Sequence, residues 1–126
     1  MPRPINPNIE KHTGLRRLIR AFGHSIAGLS AAFRTEEAFR IEVVLAAFLL
    51  PVAFFVQVSA AERALLIGSI LFVMIVELIN SAIEAVVDRI SLERHELSKH
   101  AKDIGSAAVL LATVLSTATW GIILLA

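Results

Sequence analysis

The chain has no cysteine in 126 residues, which excludes disulfides, thiolate catalysis and cysteine-ligated metals. It has no G-x-x-x-x-G-K-[ST] and no G-x-G-x-x-G, so the widespread nucleotide-binding loops are missing. Its formal net charge is only +1, too little for an electrostatic grip on nucleic acid, and no nucleic-acid partner is expected. No internal repeat or low-complexity run stands out. The start, MPRPINPNIEKHTG, lacks the apolar run of a cleavable targeting segment, and none is expected. Residues 1–12 are read as a mobile tail, because Pro2, Pro4 and Pro7 oppose any regular element.

Apolar residues are what the chain has in excess. They make up 56% of it, beyond the roughly 45–50% usual in soluble domains. Mean hydropathy is +0.74. A helix needs about 20 apolar residues to cross about 30 Å of hydrocarbon. Three stretches approach this, at about 41–58, 64–87 and 104–126. Pro51 falls in the first, where neighbouring helices in a membrane bundle can satisfy the carbonyl it frees. Ahead of them, over 13–33, Leu15, Leu18, Ile19, Phe22, Ile26 and Leu29 recur at helical spacing. Arg16, Arg17 and Arg20 occupy other faces, the pattern of a basic amphipathic helix lying in the membrane interface; the plainer reading is a helix on a soluble core. The expected architecture is therefore all-α and integral to the membrane: one N-terminal amphipathic surface helix and three transmembrane helices in a single domain over 1–126.

Lysine and arginine set the orientation. Arg3, Lys11, Arg16, Arg17, Arg20, Arg34 and Arg40 precede the first span. Arg63 alone lies in the first connection, and Arg89, Arg94, Lys99 and Lys102 lie in the second. The N-terminus and second connection should face the cytoplasm, and the C-terminus the opposite side. On the third span Ala108, Ala112 and Ser116 recur at four-residue spacing, which lets helix backbones approach closely. Three thin helices shelter carboxylates poorly, so self-association is expected.

The second span contains VELINSAIEAVVDR, residues 76–89. At about 100° per residue, Glu77, Asn80, Glu84 and Asp88 share an arc of about 80°, which Ser81 widens slightly. Asp88 suits the water interface, and Asn80 and Ser81 suit helix–helix hydrogen bonds. Glu77 lies about 16 Å further in, at about 1.5 Å per residue. An acidic group there costs at least about 2.5–3.5 kcal/mol. No Lys or Arg lies between Ala64 and Asp88 to offset it. The stripe therefore points to an ion or proton path, or to a reaction centre reached from the cytoplasm. Glu77 suits a general base, and Glu84, closer to water, suits a hydrated Mg²⁺. HELSKH, residues 95–100, is a decoy for a zinc site: His95 and His100 are five apart, about 140° around a helix, not the i, i+4 pair that shares a metal.

At VELINSAIEAVVDR the chain resembles the prokaryotic diacylglycerol kinases, small trimeric membrane enzymes whose relatives include undecaprenol kinases. EEAFRIE at 36–42 is similar to the family's acidic element, and HELSKHAKDIGSAAV at 95–109 to its cytoplasmic loop and third-helix entry. The resemblance covers roughly residues 14–126. It departs from the pattern at Ser91 and Leu92, in place of Gly-Ser, at Lys99 for Gly, and at His24 for Tyr.

The resemblance implies a homotrimer with sites shared between subunits, in the bacterial cytoplasmic membrane. It implies ATP-dependent phosphorylation of a lipid hydroxyl, diacylglycerol first and undecaprenol as the alternative. Glu77 matches the catalytic base, and Glu36 and Glu84 the Mg²⁺-binding carboxylates, also in contact with ATP. Arg17, His24, Glu93, His95, Lys102 and Asp103 match nucleotide positions. Ser25, Glu42, Asn80, Asp88, Ser106 and Trp120 match lipid-holding or supporting positions. A proton-coupled transporter subunit or a non-enzymatic assembly subunit are the readings from other classes.

Overall fold

The computed structural model describes residues 13–90 and 95–126. These residues form four helices and no strand: α1 (Thr13–Thr35), α2 (Glu37–Phe55), α3 (Ala60–Ile90) and α4 (Glu96–Leu125). The expected tail at 1–12 lies outside the described residues. The chain divides at Thr35 into two units, α1 in one and α2 to α4 in the other.

Helix α1 is amphipathic as its spacing predicts. Leu15, Leu18, Ile19, Phe22, Ile26 and Leu29 form an exposed apolar row, and Arg16, Arg17 and Arg20 are exposed on other faces. A basic amphipathic helix of this kind suits a membrane interface.

Helices α2, α3 and α4 are each long and apolar enough to cross a membrane. Phe39, Ala46 and Ala53 are the buried residues of α2. They recur every seventh position, which keeps one narrow face turned inward. Pro51 sits within α2 without ending it. The helix stops at Phe55, short of the expected 58, because Val56 turns extended with φ −67° and ψ 145°. The backbone carbonyls left open there are met from the next helix. Arg63 Nη1 donates to Ala53 O and Phe54 O, each at 2.6 Å. A cation at the carbonyl end of a helix also suits its dipole.

Helix α3 opens on a reciprocal cap. Ser59 N donates to Glu62 Oε1 and Glu62 N to Ser59 Oγ, both at 3.1 Å, which satisfies two otherwise open donors. Its 31 residues span about 46 Å, half as long again as the hydrocarbon layer. Helix α4 opens on His95, whose Nδ1 accepts from Leu97 N at 3.1 Å.

Helix α4 packs antiparallel along α3, more extensively than α2 does. At the end near the α2–α3 connection the contact is polar. Ser116 Oγ donates to Ser69 Oγ at 3.2 Å, and Trp120 Nε1 donates to Leu66 O and Ser69 Oγ, both at 3.2 Å. On α4 the buried small residues are Gly105 and Ala112. Ala108, expected on that face, is exposed in this chain, and Gly105 provides the close approach instead.

Candidate active site

The face of α3 that packs the bundle runs through Leu66, Ile70 and Val73 and continues to Glu77. The same four-and-three spacing then reaches Asn80 and Glu84, both half-buried. The polar stripe is thus the second half of the packing seam, not a separate face. Glu77 and, in part, Glu84 therefore lie on the side turned toward the other helices. Glu77 keeps only 7% of its surface exposed.

Four carboxylates gather in this half of the unit. Glu36, just before α2, Glu42 on α2 and Glu84 on α3 all lie within electrostatic reach of Glu77. Glu36 and Glu42 are half-buried. Asn80 Nδ2 donates to Glu84 Oε1 at 3.4 Å. Asn80 Oδ1 is buried and has no hydrogen-bond partner among the described residues. It sits against Gly105, where a Cβ would collide with it.

Toward the end of α3 the site opens to solvent. Lys102 Nζ meets Asp88 Oδ1 at 2.6 Å, with both side chains about half exposed. Exposed pairs of this kind are worth about 0–1 kcal/mol, so the lysine is easily drawn to another anion. Lys99 and Asp103 pair at 2.7 Å one turn away, and Asp103 and Ser106 are exposed on α4.

A cavity of about 120 Å³ lies between the three helices, lined by Glu42 of α2, Ile70 and Val73 of α3, and Thr113, Ser116 and Thr117 of α4. Glu42 therefore both borders this space and belongs to the carboxylate group. Thr113 and Thr117 turn their hydroxyl protons back to the carbonyls of Val109 and Thr113, which leaves their oxygens as acceptors.

The structure thus brings together Glu36, Glu42, Glu77, Asn80 and Glu84, with Asp88 and Lys102 at the open end. Trp120 does not join them. Its indole is anchored at Leu66 and Ser69, and Ser69 is eight residues, about 12 Å, along α3 from Glu77. Arg17, His24 and Ser25 lie exposed on α1, in the other unit, with Ser25 Oγ bonded to Ala21 O at 3.0 Å. His95 is the cap of α4, and Glu93 lies outside the described residues.

No group of three or more His, Asp or Glu side chains able to enclose a metal ion occurs among the described residues. One or two carboxylates open to solvent suit a cation whose remaining ligands are water and phosphate. Reading the sequence alone missed Gly105, Ser69 and the Ser59–Glu62 cap. The last was visible as S-x-x-E, and Gly105 as a glycine inside a helical run.

Three helices long and apolar enough to cross a membrane, with an acid-lined site along their shared seam, define a membrane protein with a polar centre among its helices. The sequence profile described as prokaryotic diacylglycerol kinase matches residues 23–124. The chain is 59% identical over 113 residues to a diacylglycerol kinase of Pseudomonas aeruginosa, covering 90% of this chain and 92% of that one. It is 54% identical to the diacylglycerol kinase of Escherichia coli K12, covering 89% and 92%, and 51% identical to that of Haemophilus influenzae, covering 90% and 97%. The chain belongs to the prokaryotic diacylglycerol kinase family.

Proposed function

We propose that this protein transfers the γ-phosphoryl group of ATP to the hydroxyl of diacylglycerol, forming phosphatidic acid at the cytoplasmic face of the bacterial inner membrane. The observation that carries this is Glu77, a carboxylate buried in the packing seam among Glu36, Glu42 and Glu84, in a chain similar to diacylglycerol kinases. The comparisons favour neither undecaprenol nor transport.

Phosphoryl transfer asks a protein mainly for positioning and charge compensation. Glu77 accepts the proton of the lipid hydroxyl as it attacks, and burial keeps water from competing for the phosphoryl group. The cavity beside Glu42 supports approach of the hydroxyl from the bilayer side. Lys102 exchanges Asp88 for a phosphate oxygen. Mg²⁺ would be held by Glu36 and Glu84, and when bound it offsets the negative charge of the phosphates. By resemblance to the family, Arg17, His24, Glu93, His95 and Asp103 are nucleotide-contacting residues in this reading, and Ser25, Ser106 and Trp120 lipid-contacting ones. Half-exposed carboxylates on helices of this kind need further cover, which supports self-association; in this reading, by resemblance to the family, it is a homotrimer with sites between subunits.

The test is a phosphoryl-transfer assay of purified protein in mixed micelles, with diacylglycerol and undecaprenol at equal mole fraction. The expected result is a higher kcat/KM for diacylglycerol. A preference for undecaprenol would overturn the substrate, and no transfer to either lipid would overturn the reaction.

A further inference from the structure

Asn80 is held from two sides. Its Nδ2 donates to Glu84 Oε1 at 3.4 Å, near the long limit for such a bond. Its Oδ1 fills the space where a side chain at position 105 would begin. An amide turned over would aim its oxygen at the Glu84 carboxylate, acceptor against acceptor, so only one orientation serves Glu84. No hydrogen bond retains Oδ1 among the described residues, so packing against α4 must do so.

Two local penalties meet at this contact. A buried carbonyl oxygen goes without a donor. A glycine sits inside a long helix, where alanine would hold the backbone better. Of the glycines among the described residues, Gly105 alone has a neighbour within 4 Å of its missing Cβ. Places where local rules are broken together are expected to be functional or strained sites.

We infer that Gly105 is a positioning residue for phosphoryl transfer: its bare Cα gives the Asn80 amide the space from which it orients the Glu84 carboxylate toward the cation that accompanies ATP. This rests on the reading of Glu84 as a metal-holding residue. A side chain at 105 pushes Oδ1 away from α4. The amide pivots, the Nδ2 contact opens, and Glu84 loses its fixed direction.

The probe is Mn²⁺, titrated by electron paramagnetic resonance into the full-length protein in detergent with a non-hydrolysable ATP analogue. Gly105→Ala should weaken Mn²⁺ binding by about 10-fold or more, the lower end for partners that orient a metal ligand. The KM for diacylglycerol should not change. Gly68→Ala, where nothing lies within 4 Å of the added Cβ, should leave both unchanged. Asn80→Ala should reproduce the Mn²⁺ defect, and adding Gly105→Ala to it should make it no worse, because both remove one contact. Parental Mn²⁺ affinity in Gly105→Ala, or defects that multiply in the double variant, would overturn the inference. If Gly105→Ala does not fold, Asn80→Ala decides, and parental affinity there overturns it as well. Glu84→Gln separates the two levels. Unchanged Mn²⁺ binding in that variant removes the metal reading itself, whereas weakened binding beside a normal Gly105→Ala removes only the role of Gly105.

Discussion

Glu77→Gln removes a base while keeping nearly the same shape, which makes it the sharpest test of the mechanism. Glu77 is 7% exposed, so the substituted amide stays inside the seam and meets the same neighbours. General-base assistance contributes at least about 10²-fold. At about 1.36 kcal/mol per tenfold, losing it adds about 2.7 kcal/mol to the barrier. Stability should move the other way or not at all. The substitution removes an acidic group from a buried position near Glu36, Glu42 and Glu84. The assays are initial rates in mixed micelles, equilibrium binding of MgATP, and thermal unfolding in detergent. The expected pattern is kcat reduced at least about 100-fold, MgATP affinity unchanged, and a Tm no lower than the parent's. Near-normal turnover would refute the base. Lost MgATP binding would move Glu77 into the metal site.

Three further outcomes are expected. Arg63→Ala opens the two carbonyl bonds at Ala53 and Phe54, each 2.6 Å, and should lower unfolding free energy in detergent by about 1–3 kcal/mol, discounted for partial exposure; an unchanged Tm would refute the capping role. On this cysteine-free background His95→Cys should label from the cytoplasm and Ala61→Cys from outside, and the reverse would place the site on the side without ATP. If Glu36 also serves the site of a neighbouring subunit, inactive Glu36→Gln and Glu77→Gln subunits mixed before assembly should regain part of the activity, whereas none regained would place both residues of each site in one chain.

The elements that follow from periodicity are legible in the sequence itself. The row from Leu15 to Leu29 marks α1, and the arc from Glu77 to Asp88 correctly anticipates one shared face on α3. What periodicity does not contain is the register between helices. The seam of α3 is apolar to Val73 and polar from Glu77, but only the packed structure brings Gly105 of α4 against Asn80 and leaves Ala108 exposed. Arg63 is legible as a topological charge, yet its guanidinium is engaged in ending α2, an interaction across the turn that no spacing rule specifies. Trp120 is assigned by resemblance alone, and its anchoring at Ser69 depends on the same inter-helix register.

The single seam of α3 has an evolutionary consequence. The same row of positions that fastens the helices together becomes, past Val73, a row of acidic and amide side chains, to which the proposed chemistry belongs. Leucine or alanine at 77, 80 or 84 would extend the fastening and relieve buried polarity, so under the proposed function heat resistance and turnover draw on the same few sites in opposite directions. A lineage selected for durability alone would drift toward a tighter and silent bundle. Retaining glutamate at 77 and 84 and asparagine at 80 keeps that half of the bundle below the stability its own geometry permits.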